Sequence, residues 1–556
     1  QVNTLGAVFG VLLAGFYLIG AWGIHAPVYA AIIGNLVIGV IAWVASGRAG
    51  FAGAPVEGDG GTAAGSREAK SAGDGATGDD IPDLMTLRIV LVGLGISGFT
   101  SFAYEIYWTR SLVFVLGNST YALSTMLAAF LSGIALGSYA VRFVVARFGD
   151  RVAIFGWIQV LLGVFSALAL PLLFSFEDPQ SLHRSVAGLS GQASTLVLTS
   201  FGVSFFVMLL PATLIGATFP LVGQLAVRQL SKAGASVGRV YAINTAGNVL
   251  GALLPGLVLL AWLGIQRGIL AMAAMNIALG MCVLSIRLLG RRRHPAWRVV
   301  LPVVLFGCVV LLMQAPLGFQ FPSQGQLEHH RTLFYREGPL ATTKVFVDPA
   351  NGEKHMSVDG ITIGGTGNTQ FKQLLLAHLP RLLIDDTSEE LSVGLGSGIL
   401  AGESALYPQV RGITVVEIEP GVIEGAAWFS QENHGVLEED RLTVVEDDIG
   451  NFLRTTDERY RVISADEKTA DEFASNGFSY SLEYYELLLE HLAAGGLVAQ
   501  WVPATLPPRQ YRMILKTFTD AFPHVQLWYF LPAHRQGPFN SILVGSAVPV
   551  DIVVAD

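Results

Sequence analysis

The sequence predicts a multi-span α-helical membrane domain followed by a doubly wound α/β domain. Three observations carry this. Long apolar runs dominate residues 1–318, whereas residues 319–556 have the composition of a globular domain. Charged residues make up 14% of the chain, against about a quarter in an ordinary soluble protein, and the mean hydropathy is +0.53. The C-terminal part alternates apolar strands with helical segments five times and closes on two more strands.

A helix needs roughly 20 apolar residues to cross about 30 Å of hydrocarbon. Nine runs are candidates, near 4–21, 27–45, 88–114, 120–146, 152–175, 196–224, 240–263, 266–287 and 299–317. Between the second and third, residues 46–87 are rich in Gly, Ala and Asp and lack periodicity, so they read as a flexible linker. The chain therefore divides into 1–45 (two spans ending a first membrane repeat), 46–87 (linker), 88–318 (a second repeat plus one further span), 319–380 (a small β-hairpin subdomain and its helix) and 381–556 (an α/β core).

The repeat is visible at a gapless offset of 241, where NTLGAVFGVLLAG from Asn3 meets NTAGNVLGALLPG from Asn244. Gly23, Asn35 and Gly39 then meet Gly264, Asn276 and Gly280. Duplicated bundles are common in membrane proteins. Four spans precede the second NTxG helix and none precedes the first. With the absent initiator Met, this suggests a fragment lacking a four-span N-terminal piece.

Short-loop Lys and Arg set orientation. Arg142, Arg147 and Arg151, then Arg228, Lys232 and Arg239, then Arg287, Arg291, Arg292, Arg293 and Arg298, mark three alternating loops as cytoplasmic. If 299–317 crosses, the soluble domain lies outside. The side is left open. Within the spans, Glu105 and Arg110 read either as a mutual pair near a helix end or as a functional intramembrane site. Gly133, Gly137, Gly247 and Gly251 read as close-packing positions.

The net charge of −9 and the lack of a basic patch with interleaved aromatics argue against nucleic acid. Cys282 and Cys308 lie in apolar runs and read as small buried hydrophobes, with neither a metal site nor a disulfide. No signal peptide is evident.

In the soluble part, LATTKVFVD, PANGEK and HMSVDGITI read as a hairpin, and TQFKQLLLAHLPRLL as the helix that follows. Strands follow at 391–396, 413–419, 441–448, 461–466, 496–502, 525–531 and 540–546. Ligands of such sheets bind beyond the carboxyl ends of the strands. Four such ends carry candidate groups. Gly394, Gly396 and Gly398 permit close backbone approach. Glu417 or Glu419, about 20 residues on, suits ribose hydroxyls. Asp448 is placed to accept from an adenine amino group, and Asp466 faces the reaction centre.

These segments resemble the membrane-fused spermidine synthase-like proteins, a multi-span domain joined to a polyamine aminopropyltransferase. The resemblance rests on SFAYEIYWTRSLVFVLGNSTYALSTMLAAFLSGIALGS in the helical part. In the soluble part it rests on VDG, KQLLLAHLP, GLGSG, VVEIEP, EDDIGNFLR, YRVISAD and YELLLEHLAAGGLVAQW. It implies a Rossmann-like fold of the S-adenosylmethionine-dependent methyltransferase type behind a small N-terminal β-subdomain. It implies transfer of an aminopropyl group from decarboxylated S-adenosylmethionine to an amine, without a metal. Asp466 then matches the catalytic aspartate, Glu417 the ribose-binding acid, Asp448 the adenine-side acid, and Gln373 the glutamine on the helix before the core.

The chain departs from the pattern at VGLGSG, where the loop lacks its acid, and at Asp466-Glu467-Lys468-Thr469-Ala470. It also departs at Asn368-Thr369, where an acidic pair is usual, and at Lys372, where a tyrosine is usual. A lysine repels a cationic diamine, so nucleoside binding is better kept than diamine binding. The resemblance implies a multi-pass protein of a bacterial-type inner membrane with a small-molecule amine and the lipid bilayer as partners, and it allows a homodimer through the soluble domain. Two other readings stay open: a methyltransferase-type enzyme using S-adenosylmethionine itself, and a non-catalytic transporter or sensor binding polyamine or nucleoside.

Overall fold

The computed structural model describes residues 2–48, 84–116, 120–174, 192–227, 233–289, 297–314, 330–467, 474–504, 506–530 and 540–550. Most of the linker expected at 46–87 lies outside the described residues, as do Arg228, Lys232, Arg291, Arg292 and Arg293.

The N-terminal half is all helix: α1 (Val2–Leu13), α2 (Ile19–Trp22), α3 (His25–Arg48), α4 (Leu84–Leu116), α5 (Thr120–Phe148), α6 (Arg151–Phe174), α7 (Gln192–Ala226), α8 (Ala233–Leu254), α9 (Leu260–Leu289) and α10 (Trp297–Gln314). Among the described residues, seven stretches are long and apolar enough to cross a membrane. The seventh, Gly234–Ile286, joins two of the expected spans across a kink at Gly264. The apolar stretch Val300–Gln314 is shorter than a full span.

Small residues set the packing. Gly137 of α5 lies against the backbone of Thr213 in α7, and Gly247 and Gly251 of α8 against the carbonyls of Gly95 and Phe99 in α4. A Cβ at any of these positions would overlap a neighbouring backbone. The α4–α8 contacts advance together along both chains, so these helices run parallel. The buried centre holds Tyr104 stacked on Trp108, with ring centroids 4.9 Å apart. Beside it, Thr100, Asn276 and Tyr104 form a buried hydrogen-bonded chain, which satisfies polar atoms that would be costly alone.

The offset of 241 reappears in backbone geometry. A π-helical turn spans Ala14–Leu18 and another Pro255–Leu259. Gly23 and Gly264 both break their helices, at φ/ψ of 79/176 and 69/−177. The two expectations of burial and pairing in this half need correction. Cys282 and Cys308 are exposed on the outer face of the bundle rather than buried. Arg110 does not serve Glu105: its guanidinium donates to the carbonyls of Leu340 and Gly338 in the soluble half and stands 3.9 Å from Asp359. A charge near a helix end is satisfied by whatever the tertiary fold brings there.

The soluble half opens with a four-stranded antiparallel sheet, β1 (Arg331–Glu337), β2 (Thr342–Val347), β3 (Lys354–Val358) and β4 (Ile361–Gly365), in that order. HMSVDGITI is thus two strands, not one. Asp359 and Gly360 take φ of 47° and 83°, a hairpin turn with both central residues left-handed. Helix α11 (Phe371–Leu383) then leads into the second sheet. Its strands are β5 (Glu389–Val393), β6 (Gly412–Glu417), β7 (Leu442–Glu446), β8 (Tyr460–Ala465), β9 (Leu492–Pro503), β10 (His524–Phe530) and β11 (Asn540–Ser546). They run in the order β10-β11-β9-β8-β5-β6-β7. Pairings among β7, β6, β5, β8 and β9 are parallel, and β11 and β10 add antiparallel. Strand β9 begins at Leu492, four residues before the strand expected at 496–502.

The sheet is covered by α11, α12 (Ile399–Ala405), α13 (Pro420–Ala426), α14 (Ile449–Thr455), α15 (Leu482–Glu490) and α16 (Pro508–Ala521). The order reverses between β5 and β8. That reversal opens a crevice at the strands' carboxyl ends, where Gly394 and Asp466 stand.

Candidate active site

The glycine turn lies directly after β5. Gly394, Gly396 and Gly398 take φ of 84°, 54° and 77°, values an L side chain resists, so the turn exists because these three positions are glycine. Two side chains brace it. Glu417, buried at the end of β6, accepts from the Leu395 amide (3.0 Å) and the Glu419 amide (3.0 Å). Burial pushes its pKa up, and these amides pull it back. Gln373 on α11, also buried, accepts from the Ser397 hydroxyl at 2.9 Å.

Glu419 has a different job from Glu417. It caps α13 by accepting from the Gly421 amide, and it accepts from Ala341 of the small sheet at 3.0 Å. Asp448 is exposed and caps α14 through the Asn451 amide at 3.1 Å. The structure thus brings Gln373, Glu417 and the glycines into one cluster. Glu419 lies on the side facing the small sheet, and Asp448 at the neighbouring strand end.

Asp466 follows β8. Its Oδ1 accepts from the Lys372 ammonium at 2.6 Å, with both side chains largely shielded from solvent. Lys372 also sits over the indole of Trp501 in β9, 4.4 Å from the ring centroid. Glu467 is next. It accepts from the Ser479 and Tyr484 hydroxyls at 2.5 and 3.1 Å, and its carbonyl accepts from Tyr480 at 2.8 Å. Burial first, then the charges of Asp448 and Asp466, push its pKa up to about 7. Sequence reasoning did not assign Glu467, Tyr480, Tyr484 or Trp501 to the site. Only the position of Glu467 beside Asp466 hinted at it.

Among the described residues no group of three or more His, Cys, Asp and Glu side chains is disposed to hold a metal. The arrangement offers a bound molecule open backbone at the glycine turn and carboxylates at Glu417 and Asp466.

Residues 369–549 match the family model of the spermine/spermidine synthase domain. Among curated proteins, the chain is similar to a polyamine aminopropyltransferase of Corynebacterium efficiens, 28% identical over 65% of this chain and 72% of the relative. It is also similar to polyamine aminopropyltransferase 2 of Ralstonia nicotianae, 27% identical over 75% of this chain and 79% of the relative. That second alignment spans 450 residues, more than the synthase domain contains, so the likeness extends into the helical half. In the synthase domain the matched segment begins just before α11, so it includes Gln373 and Lys372 with all the strand-end residues described above.

Proposed function

We propose that the chain is a membrane-anchored aminopropyltransferase, with decarboxylated S-adenosylmethionine as donor and a small amine as acceptor. The observation that carries the reading is the juxtaposition of the glycine turn, braced by Glu417 and Gln373, with Asp466 at the sheet's switch point. The aminopropyltransferase relatives and the synthase domain match support it.

In this reading the glycine turn and Glu417 hold the adenosyl part, Glu417 through ribose hydroxyls. Asp448 lies toward the base and Gln373 toward the transferred chain. The acceptor's neutral nitrogen attacks the carbon next to the sulfonium. A C–N bond forms, the C–S bond breaks, and its electron pair passes to sulfur, giving methylthioadenosine. The new secondary ammonium loses its proton to the Asp466 carboxylate, which passes it to solvent. Fixed carboxylates near the developing ammonium stabilise that charge.

Anchoring rests on the long apolar helices, with their small-residue packing and outward apolar faces. The same bundle supports a reading of the orientation. Arg110 and Ile265, at one end, contact the synthase half. Arg142, Arg147, Arg151 and Arg239 lie toward the opposite helix ends. Loops rich in basic residues stay cytoplasmic, so we read the synthase domain as lying on the other side of a bacterial-type plasma membrane.

The test is an assay of purified full-length protein with an amine mixture, supplied in turn with decarboxylated S-adenosylmethionine and with S-adenosylmethionine. Methylthioadenosine is the expected product. S-adenosylhomocysteine instead would make it a methyltransferase. Neither product, together with solute flux in proteoliposomes, would make it a transporter.

A further inference from the structure

A carboxylate beside an aromatic face is a cation-binding box. Asp466 and Trp501 form one at the heart of the proposed site, and the protein's own Lys372 ammonium fills it, 2.6 Å from the carboxylate and 4.4 Å from the indole centroid. The box is built rather than incidental. Lys372 and Trp501 are both buried. The indole is fixed by its N–H donating to Asn540 at 2.9 Å, and the lysine stem is fixed by α11. Gln373, the next residue on the helix, reaches the glycine turn.

We propose that Lys372 is the specificity-determining residue of the acceptor subsite, and that the acceptor is an amine bearing no second ammonium. This rests on the aminopropyltransferase reading. A fixed ammonium on Oδ1 leaves Asp466 one oxygen for the attacking nitrogen. A second cation within a few carbons of that nitrogen meets the lysine's charge in a desolvated site, where like charges repel far more than in water. A monoamine meets no such penalty.

The experiment uses the full-length protein and measures methylthioadenosine release with butylamine and with 1,4-diaminobutane. The wild type is expected to show at least tenfold higher kcat/KM with the monoamine. Lys372→Gln is expected to narrow or invert that ratio at least tenfold, mostly through KM for the diamine, and Lys372→Arg is expected to keep it. A wild type that prefers the diamine, or a ratio unmoved by Lys372→Gln, overturns the proposal.

Diamine binding, followed by calorimetry on protein saturated with methylthioadenosine, reads the subsite without turnover. Lys372→Gln gains at least tenfold in affinity if the inference holds, and equal affinities sink it. Absent methylthioadenosine binding, by contrast, sinks the aminopropyltransferase reading, and the same titration of the free protein still tests the lysine.

Discussion

Asp466 stands between two groups of different character: the Lys372 ammonium at 2.6 Å, and the adjoining Glu467 carboxyl, which is buried and pushed up to about 7. Asp466→Asn keeps the shape and removes the proton acceptor. Methylthioadenosine formation is expected to fall about 10²–10⁴-fold, while calorimetric affinity for methylthioadenosine stays within a few-fold. A loss of binding equal to the loss of rate would show that the residue serves the fold instead.

Glu467 makes a prediction about pH. Its folded pKa lies above the ordinary carboxyl value, so the native state holds a proton that the unfolded chain releases between about pH 4.5 and about 7. Its contribution is fully present below that window and is lost as pH rises through it. Glu467→Gln, which stays neutral, should flatten this part of the stability profile. Thermal melts at pH 5 and pH 8 check it, with the variant gaining on the wild type only at the higher pH.

Two elements join the halves of the molecule. The last turns of α4 present Arg110 to Gly338, Leu340 and Asp359, and the kink before Ile265 offers its amide to Glu337. The strand-to-strand loop held by Arg110 continues to Ala341, whose amide donates to Glu419 at 3.0 Å. A chain of contacts therefore runs from helix α4 to the strand that carries Glu417. Arg110→Met leaves the Leu340 and Gly338 carbonyls without their donor and removes the charge facing the buried Asp359 carboxylate, which keeps the Thr342 amide at 2.9 Å and whose pKa burial raises and Arg110 lowers. A loss of about 1–3 kcal/mol is expected for an unsatisfied buried group. It should appear as a lower melting temperature of the detergent-purified chain and faster proteolysis between the halves. Gly251→Leu tests helix packing separately. The side chain would collide with the Phe99 backbone and is expected to lower folded yield.

Across the whole molecule, the basic helix ends and the synthase domain sit at opposite ends of one bundle. A C-terminal alkaline phosphatase fusion is expected to be active and a C-terminal green fluorescent fusion dark. The reverse pair would put the domain in the cytoplasm and overturn the orientation.

Much of this architecture was readable from local signals. Period-two runs marked the strands near 331–363, and short apolar runs alternating with helical segments marked the rest; neither signal needs a partner to be recognised. The glycine turn follows from residues that alone tolerate left-handed backbone. The offset of 241 was readable in shared asparagines and glycines, and the paired π-turns and the breaks at Gly23 and Gly264 fall at the same offset. Pairings across long separations were not readable. Lys372 and Asp466 stand 94 positions apart, and Arg110 and Leu340 stand 230 apart. Nothing in either neighbourhood encodes the other.

By itself the sequence determined the two-part organisation, the alternation of strands and helices, and the strand-end acids, because composition and periodicity act within a few residues. Only the tertiary structure decided which cation meets Asp466, that Glu419 reaches the Ala341 amide beside the small sheet, and that Arg110 leaves its own helix to hold the α/β half. Those choices depend on which side chains share a desolvated space, and an ammonium or a guanidinium takes the nearest buried carboxylate or carbonyl regardless of its place in the chain.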